Sequence, residues 1–174
     1  GAALEREHRE IDEGIEEFTS GLEAGERKTE PLVRATAALR RHIYLEEEFL
    51  FPPLRAAGLM ASLVVMVREH GEMWRTLDAL DAELAEQEEH GQVLDTCHRL
   101  VAELEAHNSK EEAIIYPQAD AQLSASVTAE LRAFLDAGRV KVNRASGSEN
   151  CSIRSADWAP GMWPCTRNSS SPET

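Results

Sequence analysis

Four histidines and two glutamates stand at positions where helical seams should carry apolar side chains. His42 and Glu46 lie four residues apart and share a helix face with Leu32, Ala35, Leu39 and Phe49. An ionised glutamate buried in such a stripe costs several kcal/mol unless a cation faces it, and the stripe holds no Lys or Arg. His107 and Glu111 repeat the spacing on a face with Leu94, Cys97, Val101, Leu104 and Ile114. His8 fills a gap in the series Leu4, Ile11, Ile15, Phe18, Leu22, and His70 interrupts Leu63, Met66, Met73, Leu77, Leu80, Leu84. Imidazole and carboxylate are donors to divalent transition metals, so the missing positive charge comes either from neighbouring helices or from metal.

The elements that must position these residues are helical throughout. A first helix runs from Ala2 to about Leu22, and Gly21 and Gly25 mark the turn after it. Thr29 as N-cap with Pro31 just inside opens the second, which Phe51-Pro52-Pro53 must break or tighten and Gly58 must close. The third spans about Leu59 to Glu88, and the fourth starts after His90-Gly91 and stops before Pro117. A short fifth, about Ser124 to Ala137, ends at Gly138 and caps one end. The expected fold is all-α: an up-down-up-down four-helix bundle with a short fifth helix and an irregular C-terminal tail. Residues 1–138 form the bundle, and 139–174, rich in Ser, Asn, Gly and Pro with Trp158 and Trp163, form the tail, native or appended.

In that topology, counting outward from each turn brings His8, His42, Glu46, His70, His107 and Glu111 to one height within about one helical turn, ~5 Å. Closure at every helix is the demand that a chance set of seam histidines would not meet. Four imidazoles and two carboxylates in an apolar core make a ligand set for two divalent metals, with Glu46 and Glu111 placed to bridge them.

The order His, HxxxE, His, HxxxE resembles the hemerythrin-like (HHE cation-binding) domain family over roughly residues 4–118. The resemblance is carried by Glu7-His8-Arg9-Glu10-Ile11-Asp12, by His42 to Pro53, by Glu69-His70, and by His107 to Glu112 with Tyr116-Pro117. It implies a non-haem centre of two iron ions, oxo- or hydroxo-bridged, with His8, His42, His70 and His107 as terminal ligands and Glu46 and Glu111 as bridges. Imidazole and carboxylate also accept Mn or Zn. Oxygen-carrying members of that family have a second histidine four residues after that of the third helix, where this chain has Trp74, and end the last motif in Asp one residue later. Two imidazoles, two bridging carboxylate oxygens and one shared oxygen per iron leave an open position on both.

The expected function is binding of O2 or a related small ligand, peroxide or nitric oxide. The alternatives are a di-iron enzyme that consumes peroxide or nitric oxide, and an iron- or oxygen-sensing interaction module. The net charge of −14 argues against nucleic acid and anionic membranes as partners. It resides in the helices: 139–174 carry +2, leaving −16 for 1–138. No apolar run reaches the ~18 residues that span a bilayer. Cys97, Cys151 and Cys165 form no CxxC pair, which points to a reducing, cytoplasmic location and leaves a Cys151–Cys165 bridge open. Asp12, four from His8, suits either a hydrogen bond to that imidazole or a solvated face. His90 and His98 are expected on the surface, Tyr44 and Tyr116 off the ligand faces, Cys97 in the core, and Trp74 in packing.

Overall fold

The structure is a computed structural model that describes residues 1–129 and 131–134. Helices α1 (Ala2–Glu23), α2 (Glu30–Leu45), α3 (Phe51–Ala56), α4 (Met60–Glu86), α5 (His90–Lys110) and α6 (Tyr116–Gln122) follow in order, and no strand occurs among the described residues. α1 packs on α2 and α5, α2 also touches α4, and α4 packs on α5, so the four long helices form a closed ring of neighbours. Residues 125–129 and 131–134 are helical within the expected fifth segment. The rest of that segment lies outside the described residues, as do the boundary at 138, the tail and the Cys151–Cys165 pair.

Two expectations at the prolines need correcting. The second helix neither breaks nor tightens at Phe51-Pro52-Pro53; it widens into a π-turn over Glu46–Leu50, with the Phe51 N–H bonded to the Glu46 carbonyl. The fourth helix does not stop before Pro117 but passes through a second π-turn, Glu111–Ile115, with the Tyr116 N–H on the Glu111 carbonyl, and continues as α6. The cause is common to both. Pro52 and Pro117 lack the N–H that would reach Glu48 and Ala113 four residues back, and their rings clash with those carbonyls. Inserting one residue per turn relieves the clash, at the kind of place where π-bulges accompany functional sites.

Apolar side chains collect in two clusters. One holds Ile11, Ile15, Phe18, Leu39, Met73, Leu77, Cys97 and Leu104; the other holds Leu4, Leu45, Leu50, Phe51, Leu54, Met66, Ile115 and Leu131. Complete burial of each large aliphatic chain contributes about 1.5–3 kcal/mol. Between the clusters lies a thin polar layer: His8 follows Leu4 and precedes Ile11, and His70 stands between Met66 and Met73. No described helix is long and apolar enough to cross a membrane.

α1 and α2 approach closely at Gly14, where an added Cβ would lie 2.9 Å from the Ala35 Cβ and 3.1 Å from the Pro31 carbonyl oxygen. Neither neighbour is a flexible side-chain tip. Gly14→Val is therefore expected to destabilise the protein by about 1–3 kcal/mol, the ordinary cost of overpacking, read as a lowered denaturant midpoint. An unchanged midpoint would contradict this packing account.

Candidate metal centre

All six seam residues are buried, with Glu46 and Glu111 fully inaccessible. The four histidines fall into two facing pairs. His8 and His42 bring their Nε2 atoms to 3.1 Å, and His70 and His107 do the same. Glu46 spans the pairs, with Oε1 3.3 Å from His42 Nε2 and Oε2 3.4 Å from His70 Nε2. Glu111 spans them the other way, with Oε2 3.5 Å from His8 Nε2 and Oε1 3.1 Å from His107 Nε2. Glu46, His70, His107 and Glu111 form one group able to hold a metal ion, and His8, His42 and Glu111 form another.

Each imidazole is turned by a carboxylate on its outer nitrogen. The Nδ1 of His8 meets Glu112 at 3.1 Å, that of His42 meets Glu7 at 3.0 Å, that of His70 meets Glu47 at 2.7 Å, and that of His107 meets Glu69 at 3.1 Å. An ionised carboxylate only accepts, so Nδ1 donates and the Nε2 lone pair of the neutral ring points inward. The two 3.1 Å Nε2–Nε2 contacts then join two acceptors and are not hydrogen bonds of neutral rings. Glu46 Oε2 and Glu111 Oε1 likewise have no hydrogen-bond donor. Buried acceptors facing acceptors are costly unless a cation sits among them, so the donor set fits divalent metal.

Side-chain cations do not fill that role. Arg41 hydrogen-bonds to Glu7 and Lys110 to Glu69, the outer carboxylates. Six carboxylates thus surround the layer with two hydrogen-bonded cations between them, leaving four negative charges that two divalent ions would match.

The expectation that Tyr116 lies off the ligand faces is overturned. Its hydroxyl is 2.9 Å from Glu46 Oε1, 3.1 Å from Glu111 Oε2, 2.9 Å from His8 Nε2 and 3.3 Å from His42 Nε2. On a regular helix, residue 116 would sit ~140° around from Glu111; the π-turn brings it back over Glu111. Phe51 occupies the matching place after Glu46, its ring stacked on His70 at 5.5 Å between centroids. The signal in the sequence was an aromatic followed by proline, five residues past each ligand glutamate, which only the π-turn makes meaningful. The outer Glu7, Glu47, Glu69 and Glu112 were missed as well, although each adjoins a ligand in the chain.

Other expectations hold. His90 and His98 are exposed, and Tyr44 stacks with Phe49 and Phe134 away from the layer. Cys97 is buried, its thiol pushed up to about 12 by burial and Glu83. Trp74 packs against the first apolar cluster under the Arg40 guanidinium, 5.7 Å from the ring centroid. Asp12 is exposed, and the partner of His8 Nδ1 is Glu112 in its stead.

Without metal, protons must supply the positive charge. Burial alone would lower the histidines, but the surrounding carboxylates together outweigh it, Glu46 with Glu7 and Glu111 raising His42 well above the ordinary value and Glu46 with Glu47 and Glu111 raising His70 from 6.5 to about 9. Burial opposes ionisation of Glu46 too, yet His42 and His70 hold its carboxyl well below the usual range. A histidine whose folded pKa is raised contributes stability that is complete below its unfolded pKa and lost as pH rises through the folded value. The metal-free protein is accordingly expected to melt at falling temperature between pH 6.5 and about 9, and saturating divalent metal is expected to abolish that slope. A flat profile for the metal-free form would contradict it.

The hemerythrin HHE cation-binding domain matches residues 2–119 of the chain. No curated protein and no solved structure matches it.

Proposed function

We propose a function from one premise: this chain belongs to the hemerythrin HHE cation-binding family, and its buried His/Glu layer is a two-iron centre that binds O2 or a related small ligand. The bundle around it runs up-down-up-down, with His8, His42, His70 and His107 as terminal ligands and Glu46 and Glu111 as bridges. What carries the reading is the pairing of four Nε2 atoms about two bridging carboxylates, with no donor among them but the Tyr116 hydroxyl. Iron as the metal rests on the family, since the donor set alone also suits Mn and Zn.

Tyr116 changes the donor count. The His8–His42 side has five protein donors: two imidazoles, one oxygen from each bridging glutamate, and the phenol. The His70–His107 side has four, and Phe51 there has no donor atom to add. With two metals bound, the His8–His42 side would be closed and the His70–His107 side open, in place of openness on both, an arrangement suited to reversible ligand binding. A redox-active metal pair held there would supply the electrons for binding or reducing a small oxidant.

The chain's residues do the rest. The apolar clusters and Phe51 exclude water and charged solutes while admitting small neutral molecules. The outer carboxylates hold the imidazoles in one tautomer. Burial and then the two bridging glutamates raise the Tyr116 phenol well above its ordinary range, so it keeps its proton when no cation is near. That buried O–H favours a second reading, a peroxide- or nitric-oxide-consuming enzyme in which Tyr116 Oη holds a proton beside Glu46 and Glu111.

Aerobic iron loading is expected to give two iron ions per chain and near-ultraviolet charge-transfer bands; protein without iron or bands would overturn the reading. Stopped-flow mixing with hydrogen peroxide separates the two uses: stoichiometric change without turnover supports binding, and sustained turnover supports the enzyme. The asymmetry has its own test. Nitric oxide, which is small and neutral, is expected to bind the anaerobic iron(II)-loaded protein once per chain, and Tyr116→Phe is expected to raise that to two. Equal stoichiometry in both proteins would contradict the closed side.

A further inference from the structure

The four outer carboxylates form a pattern beyond the ligand set. Each is the chain neighbour of a metal-layer residue on its own helix, and each crosses to the histidine of the next helix. Glu7, beside His8 on α1, holds His42 on α2. Glu47, beside Glu46, holds His70 on α4. Glu69, beside His70, holds His107 on α5, and Glu112, beside Glu111, returns to His8 on α1. A residue one position away points ~100° round a helix, which is the turn needed to leave the core and reach the adjacent helix. α1 and α4 use the preceding residue; the other two chain segments use the following one. On helices that alternate in direction, those opposite offsets rotate the same way around the bundle, so the ring closes with one hand.

The ring is also divided. Glu7 is backed by Arg41 and Glu69 by Lys110, while Glu47 and Glu112 have the histidine as their hydrogen-bonded partner. Each histidine pair therefore has one imidazole held by a cation-neutralised carboxylate and one held by a carboxylate that keeps its full charge: His42 and His8 on one side, His107 and His70 on the other. A carboxylate on Nδ1 orients the ring and raises the donor strength of Nε2, and losing such a partner typically weakens metal binding 10–100-fold.

We propose that Glu7, Glu47, Glu69 and Glu112 are positioning residues acting in two separable sets, Glu7 with Glu112 setting metal affinity on the His8–His42 side and Glu47 with Glu69 setting it on the His70–His107 side. This rests on the two-metal reading above. Glu7 is 2 % exposed and Glu112 45 %, so solvent screening makes Glu7 the stronger member of its set; Glu47 and Glu69, both 14 % exposed, are matched.

The test is an anaerobic titration of the metal-free full chain with Co(II), followed by its visible absorption, in wild type, four Glu→Gln single variants and two kinds of double variant. Wild type is expected to bind two ions tightly, and each single variant to bind one as wild type does and the other about 10–100-fold more weakly, least so for Glu112→Gln. The same-side doubles, Glu7→Gln with Glu112→Gln and Glu47→Gln with Glu69→Gln, are expected to retain one tight ion. The cross-side double, Glu7→Gln with Glu69→Gln, is expected to weaken both. Metal-free melting is expected to fall for Glu7→Gln, which takes the charged partner from Arg41 and His42, so Co(II) affinity is the deciding readout: a merely structural role would lower melting and leave Co(II) affinity unmoved. If wild type binds two ions but same-side and cross-side doubles behave alike, the two-set inference falls while the metal reading stands. If wild type binds fewer than two, the metal reading itself falls, and the inference with it.

Discussion

Inside a layer walled from water by two apolar clusters, four imidazole Nε2 atoms and four glutamate oxygens face one another across 3.1–3.5 Å. That mutual exposure of lone pairs is the constraint on which the rest of the molecule depends. A fold in water would not choose it for stability, since such groups are better replaced by well-packed apolar side chains. It is tolerable only with positive charge at the centre. The acidic outer ring and the placement of Arg41 and Lys110 on outer rather than bridging carboxylates both leave the centre free for that charge.

The π-turns show how backbone chemistry becomes site chemistry. Pro52 and Pro117 cannot sit in a regular helix, and the extra residue that accommodates each one rotates the residue before it into the core. One such residue is Phe51 and the other Tyr116. Related positions in two similar halves thus differ by one oxygen atom, and that atom decides which side of the layer has the larger donor set.

Much of this was legible in the sequence because it is periodic. His8, His42, Glu46, His70, His107 and Glu111 were visible as breaks in seams whose apolar rhythm was otherwise intact, and their common height followed from counting between turns. Tyr116 was not legible, because counting at 3.6 residues per turn fails where a helix widens. The outer glutamates were hidden for a different reason: in a chain with 32 acidic residues, a glutamate beside a ligand looks like any solvated helix residue until its partner on the next helix is known.

Every functional role proposed for these residues depends on two metal ions occupying the His/Glu layer. Anomalous scattering from crystals of iron-loaded protein, measured above and below the iron edge, tests that occupancy most directly. The predicted result is two iron peaks, one among His8, His42 and Tyr116 and one between His70 and His107, with Glu46 and Glu111 reaching both. A single peak, or iron away from this layer, would contradict it.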